Sequence, residues 1–141
     1  MERTAGLACG GGGSSALDAF TDPVVLPIDG ALCVANMQVV ARALSQAVGM
    51  SSSGTCQFIL GASELIGSLF HGSPRGGRIL LRLLRNRKSV GIEMVLECEG
   101  DGAGPETTFD AVLPLLDEYE VVPTDGGGRR VVARKWECSK L

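Results

Sequence analysis

Three polar side chains recur on one face of a predicted helix: Glu64, Ser68 and His71, at spacings of four and three. Residues so spaced project in the same direction. A carboxylate, a hydroxyl and an imidazole therefore look the same way, and a serine hydroxyl can touch a cation. Further along, a predicted strand runs into Glu97-Cys98-Glu99-Gly100-Asp101-Gly102. A polar helix face beside a glycine loop is one way to build a ligand site. The plainer reading is a solvated helix face, a small core thiol and a simple loop. Glu-Gly-Asp-Gly is neither a Walker nor a Rossmann signature, because no strand–loop–helix unit of the right spacing surrounds it. No lysine or histidine lies near Cys98 in sequence to activate its thiol.

The elements that must position these residues are legible from periodicity. Val34, Met37, Ala41, Leu44 and Val48, widened by Val40 and Ala47, predict a helix over 32–48, with Gln38, Arg42 and Ser45 on the other side and Gly49 as its stop. The serines at 51–53 offer an N-cap for a second helix over about 54–71. Its apolar face is Phe58, Ile59, Ala62, Leu65, Ile66, Leu69 and Phe70, and its polar stripe is Gln57, Gly61, Glu64, Ser68 and His71. A short lead-in strand, Val24 to Ile28, carries Pro23 and Pro27 and belongs at a sheet edge.

A hairpin follows whose register can be derived. Val90, Ile92, Met94, Leu96 and Cys98 alternate with Gly91, Glu93, Val95, Glu97 and Glu99, the pattern of a half-buried strand. With Asn86-Arg87-Lys88-Ser89 as the loop, Leu83 faces Ile92, Leu81 faces Met94 and Ile79 faces Leu96. Arg82 then opposes Glu93 and Arg78 opposes Glu97. A slip of one residue would destroy both sets of pairs. Thr107 or Thr108 can cap a third helix through about Tyr119, with Pro114 inside it. Val121-Val122-Pro123, a turn at Asp125 to Gly128 and a last strand from Arg130 to Trp136 complete the chain. The predicted order is β, α, α, β, β, α, β. Helices grouped on one face of a mixed, mostly antiparallel sheet give a two-layer α/β (α+β) sandwich.

Composition narrows the function classes. The chain has 141 residues, enough for one domain with a real core, and is 45% hydrophobic but only 4% aromatic, so that core is aliphatic. A net charge of −3 argues against general nucleic-acid binding. The cluster Arg129, Arg130, Arg134 and Lys135 reads as a solvated strand end. Five widely spaced cysteines without a CxxC indicate neither a disulfide framework nor a zinc site, and His71 is the only histidine. Residues 1–22 read as a disordered Gly/Ser/Ala-rich tail and 23–141 as a single domain. The tail lacks the pattern of a secretory signal. Ala43 to Ser63 is too rich in serine, glutamine and glycine to span a membrane. The expectation is a cytoplasmic protein of a reducing compartment with no membrane partner.

Taken in order, these segments resemble the histidine-kinase-like (Bergerat, or GHKL) ATPase fold, and within it the small serine kinases of bacterial partner-switching modules, the anti-sigma-factor and stressosome switch kinases. The resemblance covers about residues 24–136. It rests on Val39 to Met50, Gly61-Ala62-Ser63-Glu64-Leu65, the strand into Gly100-Asp101-Gly102, Leu115 to Val121, and Val131-Val132-Ala133-Arg134-Lys135-Trp136. It implies that Glu64 stands at the family's base or water-positioning Glu. Ser68 stands where the family has a Mg²⁺-holding Asn. Cys98 stands where an Asp accepts the adenine amino group, ahead of the glycines Gly100 and Gly102. The family's lid and second glycine cluster have no counterpart between Gly104 and Thr108. Arg42 matches a basic position on the family's partner surface.

These departures remove the cation ligand, the base anchor and the phosphate cradle on which phosphoryl transfer depends. The reading is a pseudokinase: a regulatory module that binds a STAS-domain antagonist or scaffold protein, or a regulatory phosphatase, without catalysis and with no cofactor or metal; members of the family it resembles often dimerise, so the resemblance also implies a homodimer. The alternative is a weakly ATP- and Mg²⁺-binding serine protein kinase that retains Glu64 as its catalytic residue.

Overall fold

The structure is a computed structural model and describes residues 2–4, 18–19, 21–28, 30, 32–69, 77–98, 114–123 and 128–138. Its strands are β1 (Glu2–Thr4), β2 (Asp18–Ala19), β3 (Val24–Pro27), β4 (Gly77–Arg85), β5 (Ser89–Cys98), β6 (Glu118–Pro123) and β7 (Arg129–Cys138). Two helices, α1 (Leu32–Ala47) and α2 (Ser52–Leu69), lie between β3 and β4 in the chain. The strands form one sheet in the order β1-β6-β7-β5-β4-β2, with β3 also on β4, and every described pairing is antiparallel. Both helices pack on one face of it, giving a mixed α+β sandwich of two layers.

The core lies between the layers. Leu26, Ile79, Leu96, Val131 and Val121 form one cross-strand row, and Leu81, Met94, Ala133 and Tyr119 the next. Met37 and Ala41 of α1 and Phe58, Ala62 and Leu65 of α2 close over these rows. The hairpin register is the derived one at all five pairs. Its turn is tied by Asn86, whose Oδ1 accepts from the N–H groups of Lys88 and Ser89.

α1 ends as its sequence predicts. Gly49 takes a φ of 75°, its N–H donates to Gln46 C=O, and Met50 N–H donates to Ser45 C=O. This is a Schellman stop, which needs a left-handed residue that glycine adopts without cost. The predicted stripe of α1 packs on the core, with Met37 and Ala41 buried and Val34, Val40, Leu44 and Val48 partly buried, but Cys33 and Ser45 are buried beside it, so Ser45 turns inward, and Ala47 turns outward. A serine is small enough to pass under the sheet-facing side of a helix, and hydropathy alone could not place it there.

Four further expectations are corrected. The third helix does not reach Tyr119. Glu118–Pro123 is strand β6, in register with β7, after a turn that includes Pro114. Proline blocks helix propagation there, and Glu118-Tyr119-Glu120-Val121 alternates as a strand does; residues 107–113 lie outside the described residues. Next, β5 is not half-buried. It is central, and Gly91, Glu93 and Val95 on its second face are buried too. Within residues 1–22, Glu2–Thr4 pairs with β6 and Asp18–Ala19 with β4, so these stretches add strands at opposite edges of the sheet. Finally, Cys138 is disulfide-bonded. Cysteine spacing carries no sign of that, because pairing depends on which strands the fold brings together.

Candidate functional site

α2 carries the candidate residues, and its start is fixed from the sheet. Ser51 is the N-cap: its Oγ accepts from Gly54 N–H at 3.0 Å. Glu137 of β7 clasps the same residue, accepting from Ser51 N–H at 2.7 Å and from its hydroxyl at 2.9 Å. A Cβ on Gly54 would stand 2.4 Å from the Glu137 carboxylate, so the clasp needs glycine at that position. Two turns further, a Cβ on Gly61 would meet Leu116 at 2.9 Å. Leu116, just ahead of β6, therefore covers part of the Gln57–Gly61 end of the polar stripe. Gln38 of α1 donates to Ser63 Oγ at 3.3 Å and ties the two helices together.

Beyond Leu116 the stripe opens. Glu64 is exposed and Ser68 half-buried, one helical turn apart. Glu64 has no ion-pair partner among the described residues. Cys98 closes β5 on the helix-facing side of the sheet and is 6% exposed. Burial pushes its thiol up to about 11, against a smaller opposing pull from the Arg129 charge. At neutral pH it is an uncharged thiol and a poor hydrogen-bond acceptor. Arg42 is exposed on α1. Gly100, Gly102 and His71 lie outside the described residues. Glu64 and Ser68 thus share one helix surface, while Cys98 belongs to the core. No cluster of three potential metal ligands occurs among the described residues. No described helix is long and apolar enough to cross a membrane.

The sheet face away from the helices holds an arrangement the sequence reading missed. Across four strands, Glu118, Arg134, Glu93 and Arg82 stand side by side. Glu93 is 2% exposed and accepts from Arg82 Nε at 2.6 Å and Arg134 Nε at 2.8 Å. Arg134 Nη1 also reaches Glu118 at 3.1 Å, and the Trp136 indole N–H donates to Glu118 at 2.5 Å. Burial opposes the Arg134 charge, but its bonds to Glu93 and Glu118 outweigh that and hold its pKa above the ordinary value. Lys135, on the helix side, is largely buried and sits 3.9 Å from Asp117. Arg134 and Lys135 are therefore not a solvated strand end. The β4–β5 pairing supplied half of this ladder from sequence; the other half needed the register of β7, which no charge pair in the notable hairpin constrains.

A scan against protein-family models and a search of curated proteins both find nothing that matches this chain.

Proposed function

We propose that this chain is a regulatory protein-binding module of a bacterial partner-switching system: a degenerate histidine-kinase-like ATPase domain that docks a STAS-domain antagonist or scaffold protein, or a regulatory phosphatase, without phosphorylating it. The order of the segments Val39 to Met50, Gly61 to Leu65 and the strand into Gly100-Asp101-Gly102 supports the family reading, whereas Leu115 to Val121 holds a turn and the start of β6 in place of the family's last helix; two helices on one sheet face are compatible with it. The observation that carries the loss of activity is Cys98. At the position where the family reads adenine with a carboxylate stands a buried, neutral thiol. A site that hydrogen-bonds a base loses discrimination when its partner group is replaced by a poor acceptor. Ser68, one turn beyond Glu64, offers a hydroxyl where the family offers an amide oxygen to Mg²⁺.

Calorimetric titration with Mg-ATP tests this directly. The expected result is no binding in the micromolar range; micromolar affinity would overturn it. A second reading, a weakly ATP-dependent serine kinase, is favoured by one observation: Glu64 is exposed and has no ion-pair partner among the described residues, which leaves its carboxylate available to a ligand. The same titration, followed by phosphate transfer to a STAS-domain substrate, separates the two.

A further inference from the structure

The face of the sheet away from the helices is covered, yet no described helix or strand lies over it. Ala19, Leu84, Gly91 and Trp136 form one cross-strand row on that face, beside the Glu93 ladder. Leu84 is 0% exposed, although its cross-strand neighbours are an alanine and a glycine, too small to roof it. Gly91 is buried and Trp136 is 7% exposed. Neither Leu84 nor Trp136 belongs to the core between the layers. Ser89, two residues before Gly91 on the same face, is 1% exposed, and its Oγ has no hydrogen-bond partner among the described residues. Buried hydroxyls normally have a partner, so the cover has to bring polar groups as well as bulk.

Chain continuity indicates the occupant. β1 and β2 sit at opposite edges of the sheet, five strand spacings apart, which is about 24 Å. The stretch from Thr4 to Asp18 reaches at most about 50 Å when extended, enough to cross with slack. The other face is taken by α1 and α2. Thr4 is level with Glu118 and Asp18 with Arg85, so the direct path between them follows Trp136, Gly91 and Leu84, the buried row itself. Residues 5–17 carry no charge. They can lie on the Arg82–Glu93–Arg134–Glu118 ladder without disturbing its pairs, whereas a charged cover would compete for them. Gly10 to Gly13 allow close backbone approach and bring amide and carbonyl groups within reach of the Ser89 hydroxyl. We propose that residues 5–17 run across this face, with Leu7 against Trp136 and Leu17 against Leu84. Three residues beyond Thr4, an extended chain has advanced about 10 Å, two strand spacings, which brings Leu7 to β7. Leu17 adjoins Asp18 at the β4 edge. The chain thus occupies its own second sheet face, and a protein partner of the kind proposed above is confined to the helix layer or the strand edges. The inference does not rest on the nucleotide reading.

Iodide and acrylamide quenching of Trp136, the single tryptophan, tests this in the full chain. The wild-type indole should be quenched several-fold less than free tryptophan, and equally so at low and high protein concentration. Leu7→Asp should raise the quenching several-fold and move the emission to longer wavelength, with the far-ultraviolet dichroism retained. Leu7→Ser should do the same to a smaller degree, and it decides the matter if the aspartate variant does not fold. Leu32→Asp, at an exposed site on the helix layer, should leave the quenching unchanged. A wild-type indole as open as free tryptophan would overturn the proposal. So would shielding that persists in full in the folded Leu7 variants, since the sheet alone would then protect the indole. Shielding lost on dilution would assign the face to a second copy and overturn it equally. Mg-ATP titration reads a different property, so failure here leaves the functional reading to be judged on its own.

Discussion

Glu137, near the end of the last strand, holds Ser51 at the start of α2 through two hydrogen bonds, at 2.7 and 2.9 Å. The contact joins residues far apart in sequence and couples the helix N-terminus to the sheet. A carboxylate at that end also meets the positive pole of the helix dipole.

Glu137→Ala should therefore lower stability by about 1–2 kcal/mol, measured by urea denaturation. Gly54→Ala should also destabilise, since the new methyl collides with the carboxylate. The double variant should lose less than the two single losses added together, because removing the carboxylate removes the clash. Strict additivity would show that the two sites are independent.

Gly61→Ala should cost about 1–3 kcal/mol, by forcing Leu116 out of its seat on α2. Leu116→Ala should be destabilising on its own, yet should make the Gly61 substitution nearly harmless. Denaturation midpoints of the four-member cycle decide this.

Glu93 is buried between Arg82 and Arg134. Glu93→Ala leaves two guanidinium groups without their shared carboxylate and should cost about 3–5 kcal/mol. The exposed Arg78–Glu97 pair on the same sheet should be worth no more than about 1 kcal/mol and should fade in salt. Comparing thermal melts of Glu93→Ala and Glu97→Ala at low and high salt checks both. Equal losses would contradict the burial argument.

The Cys98 thiol ionises at about 11 in the folded protein, above the ordinary 9.0. The unfolded chain thus releases this proton first as pH rises. The stability linked to it is complete below pH 9.0 and is lost as pH climbs toward about 11. Cys98→Ala should flatten that part of the stability–pH curve. Alkylation followed by mass spectrometry at pH 8 should label exposed Cys56 well before buried Cys98.

The sequence was most informative where two independent patterns had to agree. In the β4–β5 hairpin, apolar pairs and charge pairs specified one register, and that register is present. The helices were equally plain from periodicity, and the serine cap was visible as a local signal. What failed was non-local. Ser45 looked polar and is buried; Glu118 to Val121 looked like the tail of a helix and is a strand. In both cases packing against distant residues outweighed local preference. The candidate site was legible as a set of residue types on α2 and β5. Which of them meet solvent, and that Cys98 belongs to the core, required the sheet to be assembled.

Trp136 is the chain's single tryptophan, and its indole is bonded to Glu118 beside the Glu93–Arg134 pair. Nature has thus placed one intrinsic fluorophore at the junction of three strands, on the side remote from the helices. Emission from it should report on melting of the sheet while staying blind to events on the outer helical surface. An unfolding transition seen by far-ultraviolet dichroism but not by fluorescence would then mean that the helices can leave first.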